Sequence, residues 1–326
     1  MPYISRRFAI LLSALCLGAS AAALHAQTYP AKPVRIIVPF AAGSTIDIFG
    51  RIIAPKLTEA LGQQVIVENR AGAGGAIGLD VTAKAPKDGY TLAIGASGPL
   101  AINPGLDPRL PWDPVRDFAP VTQIASGPLV IVTHPAVPAK SLKELIALSK
   151  ARPGKLNYGS PGIGTSNHLA GELLNIAAGI NLIHVPYKGN AEALTDLLGG
   201  QIDMVPTGIA PALSHVRAGK LRAIVVTGSR RSPIMPDLPT VGESGLPGAE
   251  VNVWYGMVAP AGTPPEIINR LNAELVKIMK SPEISERFAS QGAQPVTNTP
   301  DEFGKLIRAD VAKWAKVIKQ SGIKLE

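Results

Sequence analysis

Short apolar runs alternate with amphipathic stretches along nearly the whole chain. Residues 34–38 (VRIIV) form one such run, and the stretch 46–61 repeats apolar side chains at helical spacing until Gly62. Short apolar runs of this kind are typical of strands, and a period near 3.6 residues is typical of helices. The pattern therefore predicts an α/β protein with mainly parallel sheets flanked by helices.

The remaining elements follow from the same periodicity and from capping signals. Strands are predicted at 34–38, 65–67, 90–94, 121–124, 129–133, 156–159, 182–185, 204–205 and 221–227. Helices are predicted at 46–61, after the glycine-rich turn 72–78, at 165–178, at 191–198, and from capping boxes that start at Ser141, Thr263 and Thr299. A proline-rich loop is predicted between residues 99 and 120.

The chain of 326 residues is long enough for two domains. No compositional break separates two halves, so each domain is predicted to be discontinuous in sequence. We predict a leader at 1–26, a first lobe at 27–126 and 254–326, and a second lobe at 127–253. The crossings between the lobes are predicted in the regions 121–133 and 251–258.

The first residues carry the pattern of a secretory signal peptide. Two arginines precede an apolar run at residues 8–17, which is shorter than the roughly 20 residues that span a bilayer. Small residues follow this run, and cleavage is predicted after Ala26, with Ala23 as the alternative. We therefore predict a soluble mature protein in the periplasm.

Cysteine usage and charge exclude several classes of site and partner. Cys16 is the only cysteine and lies in the leader, so the mature chain is predicted to lack disulfides and thiolate metal sites. Leu15 before it is not the small residue that a lipoprotein signal requires. The formal net charge is +8, but the basic residues are scattered and do not interleave with aromatic residues. Nucleic acid is therefore not expected as a partner.

Three glycine-rich turns lie between a predicted strand and a predicted helix, where backbone N–H groups and the helix dipole favour an anion. The first turn, residues 39–47, carries the hydroxyls of Ser44 and Thr45, which can cap the helix or donate to a ligand carboxylate. The third turn, residues 159–168, adds further hydroxyl donors and glycines that let a ligand approach the backbone. Capping and ligand binding both remain open for these turns.

The second glycine-rich turn, residues 72–78 (GAGGAIG), superficially resembles a dinucleotide-binding fingerprint. Its glycine spacing differs from that fingerprint, and no acidic residue ends the next predicted strand to hold a ribose. A secreted protein also has little access to nicotinamide cofactors. We therefore predict that the protein uses no cofactor.

Catalytic motifs are scarce in the sequence. The string GASGP at residues 95–99 resembles a serine-hydrolase elbow but has proline in place of the final glycine, and the histidines lack metal-binding spacing. Asp47, Asp203 and Glu243 are acidic candidates, each explained more simply as a cap, a loop hydrogen-bonder or a solvated charge. His168 is interpreted as a residue that packs behind the site and supports it, rather than as a catalytic base. The sequence favours a binding protein over an enzyme.

Several short strings occur in an order that is specific as a set, although each is weak alone. They are RIIVPF at 35–40, LGQ at 61–63, VENR at 67–70, GAGG at 72–75, DGYTL at 88–92, YGS at 158–160, HVPYKG at 184–189, PDLPT at 236–240 and APAGTP at 259–264. With them the chain resembles the substrate-binding proteins of tripartite tricarboxylate transporters, the Bug family. The resemblance implies a two-lobed Venus-flytrap fold that captures a small carboxylate, acts as a monomer and delivers its ligand to membrane subunits.

The resemblance also implies which residues hold the ligand. The implied residues are Phe40, Ala42, Gly43, Ser44, Thr45 and Asp47 after the first strand, and Ser160, Gly162, Gly164, Thr165 and His168 in the glycine turn of the other lobe. Ligand would bridge the lobes and shift an open–closed equilibrium. A binding partner of a membrane sensor, or a periplasmic hydrolase or isomerase that uses Asp47 or His168, remains an alternative.

One departure from the family pattern concerns the first loop. The family usually has two adjacent glycines there, whereas the second is Ser44 in this chain, and Ile46 stands where a small or hydroxyl residue is common. These changes predict a pocket that is narrower or more apolar near Ile46. An aromatic or longer carboxylate therefore remains open as the ligand, beside the small di- and tricarboxylates.

Overall fold

The computed structural model describes residues 29–321. These residues form ten β-strands, which pair in both parallel and antiparallel directions, together with the helices that connect them. The strands are β1 (Val34–Val38), β2 (Val65–Asn69), β3 (Thr91–Ala96), β4 (Phe118–Thr133), β5 (Asn157–Ser160), β6 (Ile183–Pro186), β7 (Met204–Gly208), β8 (Arg222–Val226), β9 (Asn252–Pro260) and β10 (Gln294–Pro295). The helices are α1 (Thr45–Leu61), α2 (Ala76–Ala83), α3 (Asn103–Leu106), α4 (Leu142–Ala151), α5 (Ser166–Ala178), α6 (Asn190–Leu198), α7 (Ile209–Arg217), α8 (Pro265–Met279), α9 (Pro282–Ser290) and α10 (Pro300–Ser321). A 3₁₀ turn (Ala73–Gly75) precedes α2, and a π-helical turn (Gly98–Ile102) precedes α3.

The strands divide into two sheets that share β4. The first sheet has the order β2-β1-β3-β9-β4, and the second has the order β4-β7-β5-β6, with β8 and β10 also paired to β4. Residues 118–128 of β4 pair with β9, whereas residues 129–133 pair with β7 and β8. One strand therefore carries the chain from one sheet into the other. The predicted α/β fold class is confirmed.

The sheets contain both parallel and antiparallel pairs, where the sequence pattern predicts mainly parallel ones. The pairs β1–β2, β1–β3, β5–β6 and β5–β7 are parallel. Every antiparallel pair between the strands of residues 29–321 includes β4 or β9. Alternation of strands and helices indicates parallel units, but the chain leaves the first sheet along β4, forms the second sheet and returns along β9 in the opposite direction.

The strand β4 differs from the prediction of two strands preceded by a loop. Ser126, Gly127 and Pro128 carry turn chemistry, yet they pair with Trp254, Val253 and Asn252 of β9. Pairing with a long partner therefore overrides local turn propensity, and one strand of 16 residues results. The predicted loop at 99–120 is also wrong at its start, because the π turn and α3 occupy that segment.

Two of the three predicted capping boxes are confirmed. Ser141 Oγ accepts a hydrogen bond from Glu144 N at 3.2 Å, and Thr299 and Glu302 accept from each other's backbone N–H groups. The capping box at Thr263 is wrong, because its hydroxyl donates to the Pro260 carbonyl at 2.8 Å and α8 begins at Pro265. The pattern also fails to predict α7 and α9, neither of which has a side-chain N-cap hydrogen bond.

Aromatic packing fixes helix α1 against β9, which places the start of that helix at the candidate site. Phe49 stacks on Phe288 with ring centroids 4.4 Å apart and meets Tyr255 edge-on at 5.0 Å.

The predicted signal peptide lies outside the described residues. Within residues 29–321, no helix has the length and apolar character needed to cross a membrane.

Candidate ligand-binding site

A cavity of about 50 Å³ lies where loops from both sheets meet. The predicted residues Phe40, Ser44, Thr45 and Thr165 line it. The other lining residues are Ile46, Ala96, Gly98, Pro99, Leu129, Pro161, Ser166, Asn167, Asn190, Gly208, Val253 and Tyr255. The structure thus brings together the two turns that the sequence places more than 100 residues apart.

The loop between β1 and α1 is shaped by its own hydrogen bonds. Ser44 is the N-cap of α1, and its Oγ accepts from Asp47 N at 3.4 Å. Gly43 has a φ of 80°, a left-handed conformation that favours glycine. Its N–H donates to Asp47 Oδ2 at 2.9 Å. Ala42 and Gly43 therefore form the backbone of the loop and do not line the cavity.

Asp47 holds this loop in place and does not line the cavity. The residue is 2 % exposed, and its carboxylate also accepts from Arg51 Nε and from Asn69 Nδ2, at 3.0 Å and 2.9 Å. Burial opposes ionisation, but the hydrogen bonds from Arg51, Gly43 and Asn69 outweigh it and keep the pKa of Asp47 below its usual value. Asp47 is thus an ionised anchor of the first loop.

The turn between β5 and α5 is the matching part of the second sheet. Thr165 is the N-cap of α5, accepts from His168 N at 3.2 Å and donates to the Gly162 carbonyl at 2.7 Å. Ser160 Oγ lies 3.2 Å from Gly162 N and accepts from it. Gly162 and Gly164 both have positive φ angles, so the turn requires glycine there. Thr165 faces the cavity, and Ser160, Gly162 and Gly164 shape the turn behind it.

A pair of buried histidines supports this turn from below. The rings of His168 and His184 have centroids 4.3 Å apart, and His168 Nδ1 accepts from Gly164 N at 3.4 Å. Burial lowers the pKa of His168 to about 4. Burial and the charge that His168 would carry lower the pKa of His184 to about 3. Both rings are therefore neutral near pH 7, and His168 supports the turn without lining the cavity.

Ser160 and His184 are close enough to be compared with a nucleophile and its base. Ser160 Oγ lies 2.7 Å from His184 Nε2. A nucleophile must reach its substrate, whereas Ser160 is fully buried and lines none of the cavity. The low pKa of His184, about 3, also makes it a poor base. This pair is therefore structural.

The two sheets touch around the cavity through glycines. A Cβ on Gly98 would lie 2.8 Å from Ser166 N, one on Gly208 would lie 2.1 Å from Thr45 Oγ1, and one on Gly189 would lie 2.9 Å from Ala41 Cβ. Such distances leave no room for a side chain. The loops around the cavity are therefore in close contact.

The sequence pattern does not predict the cavity residues that come from β7, from β9 and from the start of α6. Asn190, Gly208 and Tyr255 line it. The string HVPYKG, one of those that carry the family resemblance, ends directly before Asn190 and marks this part of the site in the sequence. None of the lining residues, all of them within the described part of the chain, carries a charged side chain. The cavity offers hydroxyl, amide and backbone groups against an apolar wall.

A family model described as "Tripartite tricarboxylate transporter family receptor" matches residues 49–323. The chain belongs to this receptor family. It is 40 % identical over 324 residues to the protein BugT of Bordetella pertussis, with 99 % of both chains covered. The resemblance to the Bug family seen in the sequence is thereby confirmed.

Solved structures of similar proteins support the same family. The periplasmic binding protein BugD is 35 % identical, with a TM-score of 0.88 over 91 % of this chain and 100 % of BugD. An R. palustris protein solved with adipate is also 35 % identical, with a TM-score of 0.88 over 91 % and 99 % of the two chains. MatC from Rhodopseudomonas palustris, solved with bound malate, is 32 % identical, with a TM-score of 0.85 over 89 % and 100 %. The receptor is a solute-binding protein and not an enzyme, as the sequence predicts.

Proposed function

We propose that the receptor captures a small organic carboxylate in the cavity between its two sheets and delivers it to the membrane subunits of a tripartite tricarboxylate transporter. The observation that carries this proposal is the meeting of two helix N-termini at one uncharged cavity. Ser44 caps α1, Thr165 caps α5, and both line the cavity. Such N-termini favour an anion through their backbone N–H groups and their dipoles.

The carboxylate class is supported by donors and by relatives. The hydroxyls of Thr45 and Ser166 add to the donors of the two caps, so a carboxylate needs no arginine or lysine here. Relatives in the family have been solved with adipate and with malate. We propose that the two turns named from the sequence bind the ligand. Asp47 and His168 support this binding indirectly, because they hold the loops in place.

The apolar wall of the cavity favours a ligand with a hydrocarbon body. Phe40, Ile46, Leu129, Val253 and Tyr255 line it. Ile46 is 3 % exposed, so it occupies space that a smaller residue would leave to the ligand. A longer aliphatic or an aromatic carboxylate therefore remains within the proposed class, together with di- and tricarboxylates.

The proposed mechanism is closure of two lobes over the ligand. We place the lobes at residues 27–126 and 254–326, and at residues 127–253, since β4 passes between the sheets in this region. A ligand that contacts both turns stabilises the closed arrangement and shifts the equilibrium towards it. The mature receptor, without residues 1–26, would act in the periplasm as a monomer, and its closed form would dock on the membrane subunits.

A thermal-shift screen of the purified mature protein tests the proposal. The panel contains mono-, di-, tri- and aromatic carboxylates, with amino acids and sugars for comparison. A ligand at about 1,000 times its Kd adds about 4 kcal/mol to stability, which is a rise of several degrees in Tm. Stabilisation by carboxylates and recovery of the ligand unchanged are expected. Stabilisation by sugars alone, or by nothing in the panel, would refute the proposal.

A further inference from the structure

Asn190 is the first residue of α6 and lines the cavity while being only 7 % exposed. Its Nδ2 donates to Thr207 Oγ1 at 2.7 Å. Its Oδ1 has no hydrogen-bond partner among residues 29–321. A buried acceptor without a donor lowers stability, so a partner for Oδ1 is expected from outside the protein.

The backbone next to Asn190 and next to its partner Thr207 lies against the first loop. Gly189 before it lies against Ala41, and Gly208, which follows Thr207, lies against Thr45. The hydroxyls of the cavity can donate to a carboxylate, whereas the free carboxamide oxygen of Asn190 can only accept. The cavity therefore presents donors for an anion and, at Asn190, an acceptor for a different group of the same ligand.

We propose that Asn190 selects carboxylates that also carry a hydrogen-bond donor, either a hydroxyl or an amino group. This inference rests on the proposed function and narrows its ligand class. A donor on the ligand satisfies Oδ1 when the cavity closes. An analogue without the donor leaves Oδ1 buried and unpaired, which is the situation in which binding sites discriminate most strongly.

Matched ligands test the inference on the unmodified protein by isothermal titration calorimetry. The pairs are malate with succinate and 4-hydroxybenzoate with benzoate for a hydroxyl donor, and aspartate with succinate for an amino donor. The donor-bearing member of at least one pair is expected to bind about tenfold more tightly. Equal affinity in every pair, or tighter binding of the member without the donor, overturns the role of Asn190 and leaves the proposed function standing. Failure of every carboxylate to bind overturns both.

The variant Asn190→Leu removes the acceptor, together with the Nδ2 donor, and keeps the number and branching of the side-chain heavy atoms. In a preferred pair, we expect the two affinities to come within about twofold of each other, because only the donor-bearing ligand loses a partner. Asn175→Leu is the matched control, since its carboxamide bonds to the backbone of Leu182 away from the cavity. That control should lower Tm and keep the preference. An undiminished preference in folded Asn190→Leu overturns the inference, and the ligand pairs on the unmodified protein decide it if the variant does not fold.

Discussion

Gly98, which follows β3, lies against the backbone of Ser166 at the start of α5, so that a Cβ on Gly98 would be 2.8 Å from Ser166 N. The hydroxyl of Ser97 lies 3.1 Å from that of Ser166 at the same contact. The segment after β3 and the start of α5 therefore approach to a distance that only glycine permits. This contact lies at the edge of the cavity, because Gly98 and Ser166 both line it.

The variant Gly98→Ala should weaken ligand binding about tenfold or more. An added methyl group obstructs the closed contact with Ser166, so the binding-competent arrangement becomes less populated. Titration calorimetry measures the affinity, and thermal unfolding without ligand should show a much smaller effect. The control is Gly199→Ala, where a Cβ would meet its nearest atom at 3.5 Å. An affinity unchanged in Gly98→Ala would contradict closure at this contact.

The double variant Ser44→Ala/Thr165→Ala should lose at least about 30-fold in affinity, because the cavity loses the Ser44 hydroxyl and the turn before α5 loses the Thr165–Gly162 hydrogen bond that shapes it. Each substitution also removes an N-cap, which costs about 1 kcal/mol of folding stability. Ser141→Ala removes the cap of α4, which is not part of the cavity, and separates the two effects. Calorimetry and urea unfolding provide the two measurements. If the double variant binds as the unmodified protein does, the site assignment is wrong.

Asp47→Asn should lower both stability and affinity. The carboxylate accepts from Gly43, Arg51 and Asn69, and an amide cannot accept all of these bonds. We expect a loss of about 1–3 kcal/mol in the free energy of unfolding, with weaker binding because the loop that carries Ser44 loosens. Urea unfolding and calorimetry measure the two effects. Asp237→Asn, at an exposed position, is the control and should leave both unchanged.

The free energy of unfolding should decrease as the pH drops below about 6.5, because of His168 and His184. Above the usual pKa of 6.5 both rings are neutral in the folded and unfolded chains, so they add no pH dependence. Below it the unfolded chain binds protons, whereas folded His168 and His184 do so only near pH 4 and pH 3. At pH 5 each ring should cost on the order of 2 kcal/mol.

Urea unfolding between pH 7.5 and pH 5 measures this loss. The variant His168→Gln/His184→Gln should show a flatter dependence on pH, since no proton uptake then distinguishes the two states. His215→Gln, on α7, is the control and should keep the slope of the unmodified protein. A double variant with an unaltered slope would show that the pH dependence has another origin.

Much of the site was accessible from local signals in the sequence. Gly62 ends α1, Ser44 and Thr165 cap the two helices that meet at the cavity, and glycines with positive φ shape both turns. These features depend on periodicity, capping and backbone freedom, which neighbouring residues determine. The membership in the receptor family follows from the order of short strings along the chain.

The sequence by itself determined the α/β class, most helix and strand positions and the two turns that we propose as the binding site. Only the tertiary structure decided that β4 is continuous, that Asp47 and His168 act behind the loops, and that Asn190 and Tyr255 line the cavity. The reason is physical. Strand pairing and side-chain packing join residues far apart in the chain, and no local pattern encodes those contacts.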